Sequence, residues 1–204
     1  MSGTTTDRGE KRPRLVKAAT AVFAKKGYAS TRVADIAERA GVGKGTVYEY
    51  FSSKEELLFA VFDSINRDIS SRMHLALSEG GSAHDTLLTL LRLGAEVISA
   101  QVDLTPVMLD FWAASRGKEF EKDYREAVVA SYDTYRNLVA DFIRRSQASG
   151  EFRPEVDADA LSATVVATVD GLGIQLSFDR SIDPHRITEA FGRLLCECLT
   201  SESP

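Results

Sequence analysis

The sequence predicts an all-α fold of about nine helices, an N-terminal three-helix head followed by a helical body. Three observations carry this prediction. Apolar residues recur every three or four positions along most of the chain, no stretch alternates long enough to make a strand, and Gly, Pro and Ser/Asp signals divide the periodic runs at helix-length intervals. In the first helix Leu15, Ala18, Ala19, Val22 and Phe23 form one stripe, ended by Gly27. A short helix over 31–40 turns Val33, Ile36, Ala37 and Ala40 inward and stops at Gly41, and a second runs over 44–50. Ser52 and Glu55, three apart, have capping-box spacing and open a long helix through Leu57, Leu58, Val61, Phe62, Ile65 and Ile69. At ~1.5 Å per residue it reaches about 40 Å, enough to join a head to a body.

Gly80-Gly81-Ser82 interrupts the pattern, and a helix resumes with Leu87, Leu90, Leu91, Gly94 and Ile98. Thr105-Pro106 opens a shorter helix, another long one covers 119–149 before Gly150, and Asp157 and Asp159 favour the positive start of the next. Asp183-Pro184, a cap followed by proline at the first helical position, starts the last helix. Residues before about Arg8 and the last few are expected to be disordered. The domain boundaries follow as 8–53 for the head and 54–201 for the body.

With 204 residues, 44% of them hydrophobic and 27% charged, the chain can bury a sizeable core. Its polar, basic start does not read as a secretory signal, and no run approaches the ~18 consecutive apolar residues of a membrane span. Cys196 and Cys198 sit two apart in a helix, roughly 200° around its axis, so they cannot pair with each other. A reducing, cytoplasmic setting is therefore expected. The net charge of −5 hides an asymmetry: residues 1–55 carry 11 Lys+Arg against 6 Asp+Glu, net +5, and residues 56–204 carry 14 against 24, net −10. A basic head on an acidic body suits a polyanion-binding module attached to something else.

The stretch GVGKGTVYEYF, 41–51, decides which module. A phosphate loop needs glycine, four residues and then Gly-Lys-Ser/Thr after a strand; here Gly45 follows Lys44, Glu38 stands where the first glycine belongs, and a helix precedes. The dinucleotide fingerprint fails likewise. A helix-turn-helix asks instead for a small residue, a turn glycine four later and a β-branched residue six beyond, and Ala37, Gly41 and Val47 have that spacing.

The run Thr31–Phe51, with Lys54-Glu55-Glu56-Leu57-Leu58 after it, resembles the DNA-binding domain of the tetracycline-repressor (TetR) family over about residues 10–60. The resemblance implies a DNA head of three helices and a divergent ligand-binding, dimerising body. It places Thr31, Lys44, Thr46, Tyr48, Tyr50 and Lys54 at positions that contact DNA, and Arg32, Gly43 and Gly45 stand beside them. The residue types suit such contacts, since glycines admit a sugar-phosphate backbone, Lys44 neutralises phosphate or reaches guanine, and Thr46 offers a hydroxyl or a methyl. Structural alternatives stay open. Thr31 can be an N-cap, Lys54 a solvated charge, one of Tyr48 and Tyr50 a packing residue, and Glu49 a solvent-facing acid.

A helix-turn-helix gains specificity by doubling, with half-sites about 34–36 Å apart. The last two helices are the candidates for joining two copies: Ala163, Ala167, Gly171 and Gly173 allow close approach, and Ile187, Phe191, Leu194, Leu195 and Cys198 form an apolar stripe. A stripe buried inside one chain is the alternative. The resemblance also implies a pocket in the body, for which Phe62, Met108, Phe111 and Trp112 are candidates, with Tyr132, Tyr135 and the polar oddity Asp170. Aromatic stripes are also ordinary core, and Asp170 a paired structural acid. The acidic body favours a neutral or cationic, hydrophobic or amphipathic effector.

His74, His84 and His185 are too scattered for a metal site or a triad, and no hydrolase or zinc motif occurs, so neither enzyme, cofactor nor metal is expected. The expected protein is a homodimeric regulator of double-stranded operator DNA, a repressor released by a small molecule, with no membrane partner. A small-molecule binder with a vestigial head and an architectural DNA binder are the alternatives; the intact Lys44, Thr46, Tyr48 and Lys54 disfavour the first, the acidic body the second.

Overall fold

The computed structural model describes residues 4–78, 80–114 and 121–200, and these are helical apart from turns and one isolated bridge between Phe152 and Thr200. In order they are α1 (Thr4–Lys26), α2 (Val33–Ala40), α3 (Lys44–Tyr50), α4 (Lys54–Ser78), α5 (Ala83–Gln101), a 3-10 turn (Val102–Leu104), α6 (Thr105–Ala114), α7 (Glu121–Ala148), α8 (Ala158–Phe178) and α9 (Pro184–Leu199). The all-α class is confirmed. The chain divides into two compact units, residues 1–67 with 103–127 and residues 68–102 with 128–204, the three cuts falling inside α4, the 3-10 turn and α7.

In the first unit Leu15, Ala19 and Phe23 of α1, Ile36 and Ala37 of α2, Val47 of α3, Phe51, and Leu57, Leu58 and Val61 of α4 make one buried core. Gly41 adopts φ +67°, the left-handed conformation that ends α2, and the Val42 N–H returns to the Ala37 carbonyl at 3.0 Å. Three local expectations are corrected. α1 begins at Thr4, inside the tail expected to be disordered; Glu10 and Arg14 have the acid-before-base i,i+4 spacing that supports a helix without an apolar stripe. α2 begins at Val33 behind Arg32, whose N–H is accepted by the Asp35 carboxylate at 2.9 Å, so Thr31 is not its cap. The capping pair of α4 shifts by one residue: Ser53 Oγ accepts the Glu56 N–H at 3.1 Å, and Glu56 takes the Ser52 N–H and hydroxyl at 2.6 and 2.8 Å.

In the second unit α5 packs along α9 and α8, with Leu87, Leu91, Ile143 and Phe152 at the centre of the core. The helices approach closely at glycine. A Cβ at Gly192 would stand 2.7 Å from Leu88 and 2.9 Å from Leu91, and one at Gly94 would stand 2.8 Å from Val169. Gly173, expected to allow close helix approach, is buried at the α5–α8 crossing, where a Cβ would stand 3.3 Å from Ile98. Ser82, Asp157 and Asp183 cap α5, α8 and α9 through their side chains, as the sequence predicts for the last two. Cys196 is buried and Cys198 exposed, both as free thiols.

Candidate nucleic-acid interface and effector site

On α3 the side chain of Lys44 is exposed and Tyr48 keeps 48% of its surface open, an unusual position for a large ring. The Lys44 ammonium lies 5.7 Å from the Tyr48 ring centroid, so the two make one cationic, aromatic surface. Thr46 and Tyr50 are half-buried, and Phe51 supplies the packing ring instead of either tyrosine. Gly43 and Gly45 are exposed, lack positive φ, and would meet no heavy atom within 4 Å if given a Cβ. Neither backbone conformation nor internal packing therefore requires glycine at either position. Arg32 and Glu49 are exposed as well.

Two of the other candidates are built inward. Thr31 is 2% exposed and its hydroxyl donates to the Gly27 carbonyl at 2.7 Å, which removes its side chain from the outer surface. Lys54 donates from Nζ to the carbonyls of Tyr28 at 2.9 Å and Thr31 at 3.1 Å and stands 4.3 Å from the Tyr28 ring centroid, so it closes the α1–α2 turn onto α4. An ammonium has three donors, and one is left.

The candidate pocket residues fall into two groups, one per unit. In the first unit Phe62 stacks on Phe111 at 4.1 Å and Phe111 on Tyr124 at 4.5 Å, with Phe59 edge-on to Tyr124 at 5.5 Å. Phe111 has no exposed surface and Phe62 little, so these two are core, whereas Met108 and Trp112 are half-buried. Tyr124 donates its hydroxyl to the Glu55 carbonyl at 2.7 Å, and Tyr28 donates to the Glu55 carboxylate at 2.9 Å. Burial, aided by the Glu55 charge, pushes the Tyr124 hydroxyl up to about 12 and the Tyr28 hydroxyl higher still. Sequence reading missed this linkage, because Tyr124 and Glu55 are 69 residues apart. The one available signal was the aromatic residue itself at the start of a charged helix.

In the second unit Tyr132 and Tyr135, three apart on α7, are half-buried, and Tyr132 donates a hydrogen bond to Asp170 of α8. Burial raises the Asp170 carboxyl above its ordinary range, with the Tyr132 bond opposing. Burial and then the Asp170 charge raise both phenols. The candidate interface residues occupy mixed positions. Ala167, Ile187, Leu194 and Cys198 are exposed, Gly171 faces open space, and Phe191 and Leu195 pack partly on the core of their own unit.

The model of bacterial regulatory proteins of the tetR family matches residues 15–61, and that of the BetI-type transcriptional repressor C-terminal domain matches residues 85–200, more than half of the chain. The chain is 32% identical to the HTH-type transcriptional regulator TtgR of Pseudomonas putida, over 80% of this chain and 78% of that protein. Its fold is similar to a transcriptional regulator from Saccharomonospora viridis in complex with choline, at TM-score 0.80 and 26% identity, over 95% of this chain and all (100%) of that one. The regulator FadR from Bacillus subtilis in complex with stearoyl-CoA has the same fold, at TM-score 0.73 and 22% identity over 91% of this chain and 97% of that one. The helix-turn-helix geometry, the exposed cationic and aromatic face of α3 and these matches over both parts lead to one conclusion: the chain belongs to the TetR family of DNA-binding, helix-turn-helix transcriptional regulators.

Proposed function

We propose that the protein is a homodimeric, cytoplasmic repressor that holds double-stranded operator DNA when ligand-free and releases it on binding a small hydrophobic or amphipathic molecule. Residues 8–53 form the DNA-binding head and 54–201 the effector and dimerisation body. The observation that carries the DNA reading is the pair Gly43 and Gly45, which nothing inside the chain requires, beside exposed Lys44 and Tyr48. Glycine there lets a sugar-phosphate backbone reach the helix, with Lys44 on a phosphate or guanine edge and Tyr48 and Thr46 beside it. Arg32 and Tyr50 belong to the same surface, and Lys54 adds positive charge behind it.

An effector works only through differential affinity, and moving the population from 99% to 1% binding-competent needs about 5.5 kcal/mol between the two states. The ligands of the similar chains are a small organic cation, choline, and a long amphiphile, stearoyl-CoA.

The test is fluorescence anisotropy of the full chain on labelled DNA from upstream of its own gene, with nonspecific competitor. Wild type binds through competitor. Lys44→Ala and Tyr48→Ala each lose at least about tenfold, ~1.4 kcal/mol, and Lys44→Ala also lowers the salt slope by about 1. Equal binding by wild type and both variants would remove α3 as the reading helix.

A further inference from the structure

The outer face of α3 is set by the residue it buries, Val47, which is 1% exposed. At about 100° per residue, Gly45 and Glu49 lie on the opposite side of the helix from Val47, one turn apart on a single face. Both are exposed. Because Gly45 has no side chain, Glu49 occupies the middle of that face, with Lys44 and Tyr48 to one side of it and Thr46 and Tyr50 to the other. Glu49 is the only acid of α3, and among the described residues no hydrogen bond or ion pair reaches its carboxylate, although the head is basic. The neighbouring charges are engaged: Lys44 lies against the Tyr48 ring, Lys54 binds the carbonyls of Tyr28 and Thr31, and Asp35 takes Lys26 and the Arg32 N–H. In the last turn of a helix a negative charge also opposes the helix dipole. Neither folding nor contact with phosphate favours an acid at this position.

We propose that Glu49 is a specificity-determining residue that selects cytosine in the major groove. An ionised carboxylate only accepts hydrogen bonds, so it needs a donor on the base edge. Guanine presents two acceptors there, thymine an acceptor and a methyl group, and adenine an acceptor beside its amine. Cytosine presents its N4 amine with no acceptor beside it, and is the one edge that attracts a carboxylate without also repelling it. Phosphates repel it everywhere along the duplex. Glu49 therefore lowers affinity for DNA in general and restores it where cytosine lies under the face it shares with Gly45, which is discrimination by both attraction and repulsion. An acid that merely faced solvent would do only the first. The inference rests on the reading of α3 as the helix that enters the groove and names one base that it selects.

The experiment selects sites from a random-sequence duplex library with the full-length wild type, Glu49→Gln and Glu49→Ala, and then measures anisotropy on the selected site and its single-base variants. Wild type enriches cytosine at one fixed position of each half-site. Replacing that cytosine by thymine, which puts an acceptor where the amine stood, weakens wild type about tenfold or more. Glu49→Ala loses this preference to within about twofold, keeps the preferences at other positions and binds competitor DNA more tightly than wild type. Glu49→Gln moves the preference toward adenine, whose N6 and N7 suit an amide. Both variants fold, since the side chain is exposed and unpartnered, and urea midpoints no lower than that of wild type check this. If both variants keep the wild-type base preference at every position and only bind all DNA more tightly, Glu49 faces solvent; the proposal falls and the regulator stands. A changed position at which wild type prefers a base other than cytosine overturns it as well. If wild type enriches no sequence at all, α3 reads no bases, and the sequence-specific regulator falls together with the proposal.

Discussion

Gly45 offers the sharpest separation of stability from function at a single residue. It lies in the first turn of α3 with an ordinary helical backbone, and a methyl group there would meet nothing within 4 Å. Alanine is favoured over glycine in a helix by up to about 1 kcal/mol, so Gly45→Ala stabilises the head by a few tenths to about 1 kcal/mol. The same methyl stands where the proposed sugar-phosphate backbone approaches and weakens operator binding about tenfold or more. Urea melts and anisotropy on one preparation read both effects. A variant that is more stable and binds DNA as well as wild type would show that the open space before α3 is not used. Thr31 illustrates the opposite case: its place in the motif made it a DNA contact, but its hydroxyl is turned into the α1–α2 turn, and only its carbonyl remains active, as an acceptor for Lys54.

Between elements, glycine sets how closely helices pass. Gly192 of α9 faces Leu88 and Leu91 of α5, and Leu91 is itself buried. Gly192→Ala forces these leucines off their rotamers or parts the helices, at a cost of about 1–3 kcal/mol despite the gain in helix propensity. Thermal or urea unfolding measures it; an unchanged midpoint would mean that the α5–α9 contact has slack. This crossing was not legible in the sequence, because a period of 3.6 shows which face of a helix is apolar but not which partner it meets. What was legible is local. Asp157, Asp183-Pro184, Gly41 and Gly150 mark helix ends through backbone chemistry confined to a few residues. Where two residues offer the same local chemistry, as Ser52 and Ser53 do before Glu55 and Glu56, spacing alone cannot choose, and the structure settles the cap one residue along. The Tyr124–Glu55–Tyr28 linkage and the Asp170–Tyr132 bond join distant segments, so sequence supplied only their residue types.

At the scale of the whole molecule, a single helix-turn-helix head reads too little DNA alone, and in the proposed dimer a second copy supplies the other half-site. The face proposed for joining copies is α8 and α9. Among the described residues α8 is the one helix that is long and apolar enough to cross a membrane by length and composition, yet it buries little of itself within the chain. Its open side presents Ala163, Ala167 and Gly171, small residues that let another helix approach. On α9 the face turned to its own core carries Thr188, Gly192, Cys196 and Leu199, and Leu194, 57% exposed, points away with Ile187. A leucine this open contributes little to the fold of one chain and belongs to the face proposed for joining copies. Leu194→Glu places a like charge against itself across a two-fold contact while leaving the single chain intact. Light scattering at about 10 µM then gives the mass of one chain instead of two. Helical circular dichroism is unchanged, and operator affinity falls by about 10²-fold as the gain from linking two heads is lost. If Leu194→Glu stays a dimer, the copies meet elsewhere and the exposed α8–α9 face must be reassigned. If it becomes monomeric yet holds operator as before, dimerisation is not what sets DNA affinity.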